Sequence, residues 1–128
     1  MPRLDLSAGS VDLTRAICDI PSVSGDEQTL ADAIFAEIDP LDHLEVYRDG
    51  DTIVARTNLG RAQRVVIAGH IDTVPINANL PTRVIEQDGE PYLWGRGAVD
   101  MKGGTAVQLK LAAELVAPRV DITWMWYD

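Results

Sequence analysis

Val65-Val66-Ile67-Ala68-Gly69-His70-Ile71-Asp72 opens the stretch on which the fold turns. A short apolar run of buried-strand type leads to His70, with Asp72 two residues on, where a strand gives way to a loop. In extended chain, residues i and i+2 face the same side. A neutral imidazole is a good zinc ligand, and a carboxylate beside it accepts a hydrogen bond from the other ring nitrogen, which fixes the tautomer and raises ligand basicity. The stretch closes on Leu93-Trp94-Gly95-Arg96-Gly97-Ala98-Val99-Asp100-Met101-Lys102-Gly103-Gly104. Glycines on both sides let the backbone turn tightly around one acidic residue at the mouth of a helix, so that Asp100 offers a charged oxygen ligand. The two segments read as half of a metal site, with Asp72 as the partner of His70.

Working outward, Gly104 to Ala117 is predicted to be a helix with little polar face, buried between layers, and Pro118 ends it. Val120 to Tyr127 is a nearly continuous β-branched and aromatic run with Trp124 and Trp126 on one side, a central strand. Leu44 to Arg48 and Thr52 to Thr57 are predicted to pair as a hairpin at Asp49-Gly50-Asp51, and Thr82 to Glu86 with Pro91 to Trp94 as a second around Asp88-Gly89. Pro75 and Pro81 bracket an extended segment with little regular structure. Ser10 is a plausible N-cap for a helix carrying Leu13, Ile17 and Ile20 and ending at Pro21. Ser24 to Glu27 has the form of a capping box, followed by an apolar stripe of Leu30, Ile34, Phe35 and Ile38 before Pro40. Met1 to Gly9 reads as a frayed start. Helices alternating with apolar strands point to an α/β sandwich, its sheet mixed because the early hairpin is antiparallel.

At 128 residues the chain is the size of one domain. Its formal charge of −9, from 20 acidic against 11 basic residues, comes without a basic cluster, which argues against a nucleic-acid backbone or an anionic membrane as partner. No apolar run approaches the roughly 18 residues of a membrane span, and no charged segment followed by an apolar stretch opens the chain. A cytoplasmic protein is expected. Cys18, the single cysteine, reads as a small core residue, which fits a reducing compartment. His43 reads as a surface residue, Trp94 as packing, Lys102 as a solvated residue without a role, and Arg83 and Arg96 as candidate carboxylate contacts. Gly95-x-Gly97 does not begin a dinucleotide fingerprint, because Asp100 stands where its third glycine belongs and its charge would face a pyrophosphate.

Taken together, Gly69-His70-Ile71-Asp72-Thr73-Val74-Pro75 and Gly95-Arg96-Gly97-Ala98-Val99-Asp100-Met101-Lys102-Gly103-Gly104 resemble the signature of the M20 family of dizinc metallopeptidases and amidohydrolases. The likeness extends over nearly the whole chain, through Ile20-Pro21-Ser22-Val23-Ser24-Gly25 and Asn77-Ala78-Asn79-Leu80-Pro81. It implies a three-layer α/β sandwich with a mixed, mainly parallel sheet. It also implies two zinc ions, with His70 a ligand of one, Asp100 the carboxylate bridging both, Asp72 the catalytic partner of His70, and a cis peptide after Asp100. The reaction implied is hydrolysis of a small-molecule amide, in the nearest subgroup the release of succinate from N-succinyl-LL-2,6-diaminopimelate; another amidohydrolase of the family, or a non-catalytic module with a vestigial metal site, are the alternatives.

In the family a Glu-Glu pair follows the strand matching Val120 to Tyr127, as general base and zinc ligand. A further acidic ligand, a second histidine and a lid or dimerisation domain also belong to the family fold. Residues 1–128 therefore read as the amino-terminal part of a catalytic domain, ending on an interior strand, with a homodimer expected of the parent and no activity expected of these residues alone.

Overall fold

The computed structural model describes residues 2–128. Three helices, α1 (Ser10–Cys18), α2 (Gln28–Ile38) and α3 (Gly103–Glu114), accompany six strands. The strands are β1 (Glu45–Asp49), β2 (Thr52–Arg56), β3 (Arg64–His70), β4 (Arg83–Gln87), β5 (Glu90–Trp94) and β6 (Asp121–Tyr127). Four of them form a sheet in the order β1-β2-β6-β3, and β4 and β5 stand apart as a two-stranded hairpin.

Both hairpins lie where Asp-Gly pairs place them. Asp49 pairs with Thr52 across Gly50 and Asp51, and Gln87 pairs with Glu90 across Asp88 and Gly89. Asp88 and Gly89 both have positive φ, 53° and 79°, the twist a two-residue hairpin turn requires.

Strand alternation decides which face is core. Ile53 is level with Trp126, and Ala55 with Trp124, so these four side chains share one face of the sheet. They are buried with Leu13 and Ile17 of α1, Leu30, Ile34 and Ile38 of α2, and Ala106, Leu109 and Ala112 of α3 in one core. The opposite face carries Val54, Thr123, Met125 and Val66, which are half-buried or exposed, Val66 at 59%.

The α/β class and the mixed sheet are therefore as expected. Within the four-stranded sheet β1–β2 and β2–β6 are antiparallel, and β3–β6 is parallel. A parallel pair needs a long crossover, and the sheet has one, running from β3 through the second hairpin and α3 to β6. The helices of the described residues contribute to the core on one face of this sheet. For the same reason α3 is not buried between layers: Val107 and Leu111 remain exposed on its outer side.

Smaller corrections concern the ends. Gly9, not Ser10, is the N-cap of α1, and α2 begins only at Gln28 with no side-chain cap. The amino-terminal segment is tied down rather than frayed from Arg3 onward. Arg3 pairs with Glu37 at 2.8 Å, Leu4 is buried, and the Lys110 ammonium donates to the carbonyls of Leu6 and Ala8. Met1 lies outside the described residues. Cys18 is buried, as expected of a core cysteine, and burial pushes its thiol up to about 11.

Candidate metal centre

His70 is the last residue of β3, and Asp72 follows in the loop. Nδ1 of His70 lies 3.1 Å from the Asp72 carbonyl oxygen and 3.1 Å from Asp72 Oδ1, so its N–H donates toward Asp72. Ser24 in turn donates its hydroxyl to Asp72 Oδ2. Nε2 of His70 lies 2.9 Å from Asp100 Oδ1. The imidazole is thus held at one nitrogen and meets a carboxylate at the other. Burial alone would lower its basicity, but the hydrogen bonds to Asp100 and Asp72 and the charges of both aspartates outweigh it and hold His70 above its ordinary value. Nε2 and Asp100 Oδ1 converge where both groups could bind a cation.

Three features bring Asp100 to this position. Gly97 adopts φ +85°, which L side chains rarely take, and a Cβ there would lie 2.9 Å from Thr73 Cγ2 and 3.1 Å from Lys102 Cδ. Residues Ala98–Lys102 then form a single π-type turn whose interior is not helical at Asp100 and Met101, and the Asp100–Met101 peptide is cis, as the resemblance implied. Finally, Met101 lies over Gly69: a Cβ on Gly69 would come within 2.8 Å of Met101 Cε. The neighbours of His70 and Asp100 in sequence are therefore in contact, which sets the two side chains face to face.

Lys102 is not a solvated residue. It is 1% exposed, and its ammonium donates to the carbonyls of Ile17 at 3.3 Å and Ile20 at 2.9 Å, at the end of α1. The Ile17 carbonyl also accepts from the Ile20 N–H at 3.2 Å, and a cation at the carboxyl end of a helix suits the helix dipole. Burial pushes the amine down to about 8 against the pull of Cys18 and Asp19. The residue two positions beyond Asp100 thus ties the turn to α1. Ser24 does not cap α2: its hydroxyl donates to Asp72, while Glu27 Oε1 accepts from the Gly25 N–H. His43 is half-buried, and its Nε2 lies 2.8 Å from the Ala112 carbonyl oxygen, joining the α2–β1 loop to α3. Spacing in sequence carried no signal for these contacts, because each partner lies about 50 to 85 residues away.

A cleft of about 600 Å³ opens over the pair, lined among others by His70, Asp72, Thr73, Arg96, Asp100 and Tyr127. Trp94 lies outside this lining and carries the Arg83 guanidinium 4.1 Å above its ring, so both residues are engaged with each other. A second acidic group was not foreseen: Glu27, Asp51 and Asp128 bring one oxygen each within 4.8 Å of one another. Their carboxylates already have partners, in the Gly25 N–H, Arg48 and the Thr52 hydroxyl respectively.

An imidazole and a carboxylate with converging atoms are a donor set that suits zinc, and an imidazole whose other nitrogen is held by a carboxylate is the usual form of such a ligand. The residues present fit a metal. They would supply two direct ligands, against the three protein ligands common at a catalytic zinc.

Comparison with known proteins bears on the same segments. Residues 66–125 match peptidase family M20/M25/M40. The chain is 46% identical over 126 residues to a putative succinyl-diaminopimelate desuccinylase of Mycobacterium tuberculosis, covering 98% of this chain and 34% of that protein. It is 45% identical over 132 residues to the succinyl-diaminopimelate desuccinylase of Corynebacterium glutamicum, covering 99% and 35%. The chain thus spans about a third of the length of these curated relatives. Among solved structures, an M20 family metallo-carboxypeptidase from Sulfolobus solfataricus superposes with a TM-score of 0.71 at 16% identity, over 94% of this chain and 30% of that one. Human carnosine dipeptidase 1 gives 0.71 at 19%, over 92% and 31%. At these identities the structural matches speak for the fold.

Proposed function

This chain belongs to peptidase family M20/M25/M40, and from that premise we propose that it forms the amino-terminal, metal-binding part of a zinc-dependent amide hydrolase. The reaction proposed is N-succinyl-LL-2,6-diaminopimelate plus water to succinate and LL-2,6-diaminopimelate, in lysine and diaminopimelate biosynthesis in the cytoplasm. The observation that carries it is the 2.9 Å approach of His70 Nε2 to Asp100 Oδ1, with Nδ1 held by Asp72, at the floor of an open cleft. The relatives of 45–46% identity supply the choice of acyl group.

In this reading His70, through Nε2, and Asp100, through its carboxylate, would hold the zinc. Asp72 keeps the proton on Nδ1, which leaves Nε2 free to ligate and raises its basicity. Ser24 holds Asp72 in turn. Zinc bound there would supply Lewis-acid polarisation of the amide carbonyl and activation of water. The relatives are about three times as long as this chain, and the proposal draws the remaining ligands, the general base and the dimer contact from that additional length. The 128 residues by themselves are then expected to be inactive. Among the described residues no helix is long and apolar enough to cross a membrane.

The test is succinate release by a zinc-loaded polypeptide of the relatives' full length, beside its His70→Ala variant. Turnover of the succinylated substrate that is lost in the variant supports the assignment; turnover retained without His70 refutes it. Faster hydrolysis of acetylated amino acids or dipeptides than of succinylated diaminopimelate would move the protein to another amidohydrolase of the same family. Zinc binding without hydrolysis of any amide would make the chain a binding module.

A further inference from the structure

The amide-hydrolase reading leaves one charged group in the cleft unused. Arg96 stands in the Gly95–Gly97 turn, and its backbone is fixed by an N–H bond to the Asn79 carbonyl oxygen at 2.9 Å. Its guanidinium makes no hydrogen bond or ion pair among the described residues, and its Nε is buried without a partner. The other arginines of the fold are engaged: Arg15 with Thr82, Arg48 with Asp32, Arg64 with Asp121 and the Thr57 carbonyl, and Arg83 over Trp94. Arg119 also lacks a partner, but it is exposed to water. Arg96 alone combines partial burial, an unsatisfied donor and a place in the wall of the cleft.

A guanidinium stays charged at any ordinary pH; with Nε enclosed by the protein, an incoming group meets the terminal nitrogens of Arg96, which pair with nothing among the described residues. The group whose planar geometry matches its fork is a carboxylate, taken by two parallel N–H···O bonds. Asp72 and Asp100 line the same cleft, yet neither lies within ion-pairing distance of Arg96. Their oxygens are turned to His70 and Ser24. Neither carboxylate thus pairs with the guanidinium, which is open to an incoming one.

We propose that Arg96 is the anion-recognition residue of the cleft, binding a substrate carboxylate while the scissile amide lies at His70 and Asp100. The proposal rests on the amide-hydrolase reading for the second half of that statement, and it narrows the substrate to amides carrying a free carboxylate. That carboxylate belongs either to the acyl arm or to the amino-acid side. Arg96 is then a specificity residue: it selects which amide is held, and the metal ligands act on whichever one is held.

The test is carboxylate binding by the metal-free chain, followed through the ¹⁵N-labelled arginine Nε–H resonances in titrations with succinate, LL-2,6-diaminopimelate and neutral succinamide. The proposal expects one of the two carboxylates to shift the Arg96 Nε–H, with succinamide leaving it in place. Binding should weaken at least tenfold in Arg96→Gln and be partly retained in Arg96→Lys. A succinate response assigns the acyl arm, and a diaminopimelate response assigns the amino-acid side. The proposal is overturned if neither carboxylate moves the resonance, or if a folded Arg96→Gln binds both as tightly as the parent. The resonance shift in the parent chain decides the matter even if the glutamine variant fails to fold. Because nothing is hydrolysed, a negative result here leaves the succinate-release assay standing, and failure of that assay leaves this one interpretable.

Discussion

The parallel pair β3–β6 has two ends, and they are built in opposite ways. At the amino end, where Arg64 is level with Asp121, the Asp121 carboxylate is 3% exposed and every direction is used. It accepts from the Thr57 hydroxyl at 2.7 Å and from the Leu59 and Arg61 N–H groups at 2.8 Å each, with Arg64 3.8 Å away. At the carboxyl end, where His70 is level with Tyr127, the Asp100 side chain is 83% exposed and has one contact. One acid is saturated by the fold, and the other is held in place with its capacity unspent. In open α/β sheets ligands bind beyond the carboxyl ends of the strands, and the difference between these two aspartates is the local form of that rule.

The contrast predicts that the two ends fail differently. In a polypeptide of the relatives' length, His70→Ala should lower zinc affinity by more than about 100-fold, beyond the 10–100-fold typical of groups that only support a ligand. Its stability without metal should change by no more than about 0.5 kcal/mol, as at other partly exposed positions. Competition titration against a chelator, with thermal unfolding beside it, reads both.

Asp121→Asn should do the reverse, giving the largest loss of stability among these substitutions with zinc affinity of the folded protein unchanged. The Asp121 carboxylate is held down to about 2, chiefly by the Leu59 N–H and then the Thr57 hydroxyl, against burial. A carboxylate whose folded value is depressed contributes stability that is complete above its unfolded value of 3.8 and lost as pH falls through about 2. The parent should therefore lose stability across that window in acid denaturation, and the asparagine variant should lose less there.

Lys102→Met sits between the two ends, since Lys102 belongs to the α1 anchor and also to the turn of Asp100. It leaves the Ile20 carbonyl without its ammonium partner, at about 1–3 kcal/mol of stability, and should weaken zinc about tenfold through the displaced turn. A stability loss with zinc affinity unchanged would show that the anchor and the ligand are independent. The smallest effect is expected from His43→Ala, which removes one hydrogen bond to α3 and should cost about 1 kcal/mol in denaturant unfolding with no change in zinc binding.

What was legible in the sequence follows the same division. Asp49-Gly50 and Asp88-Gly89 specify their hairpins locally, and the alternation of Trp124 and Trp126 marks a one-sided central strand, so both features emerge where expected. The His70 and Asp72 pair was legible because extended chain places i and i+2 together. Lys102, Asp121, Ser24 and His43 were not. Each makes its defining contact with a segment distant in the chain, and a lysine at a helix start or an acid beginning a strand has the same local pattern in solvent or in the core. The exposure of Val107 and Leu111 was illegible for a related reason: an apolar helix such as α3 has the same composition whether one of its faces is covered or two.

The most direct test of this account is the position of zinc in crystals of a polypeptide of the relatives' length, located by anomalous scattering at the zinc edge. The account predicts a peak about 2.0–2.2 Å from both His70 Nε2 and an Asp100 oxygen, with the direct bond between those two residues opened. Zinc found only among Glu27, Asp51 and Asp128, with His70 still bonded to Asp100, would contradict it.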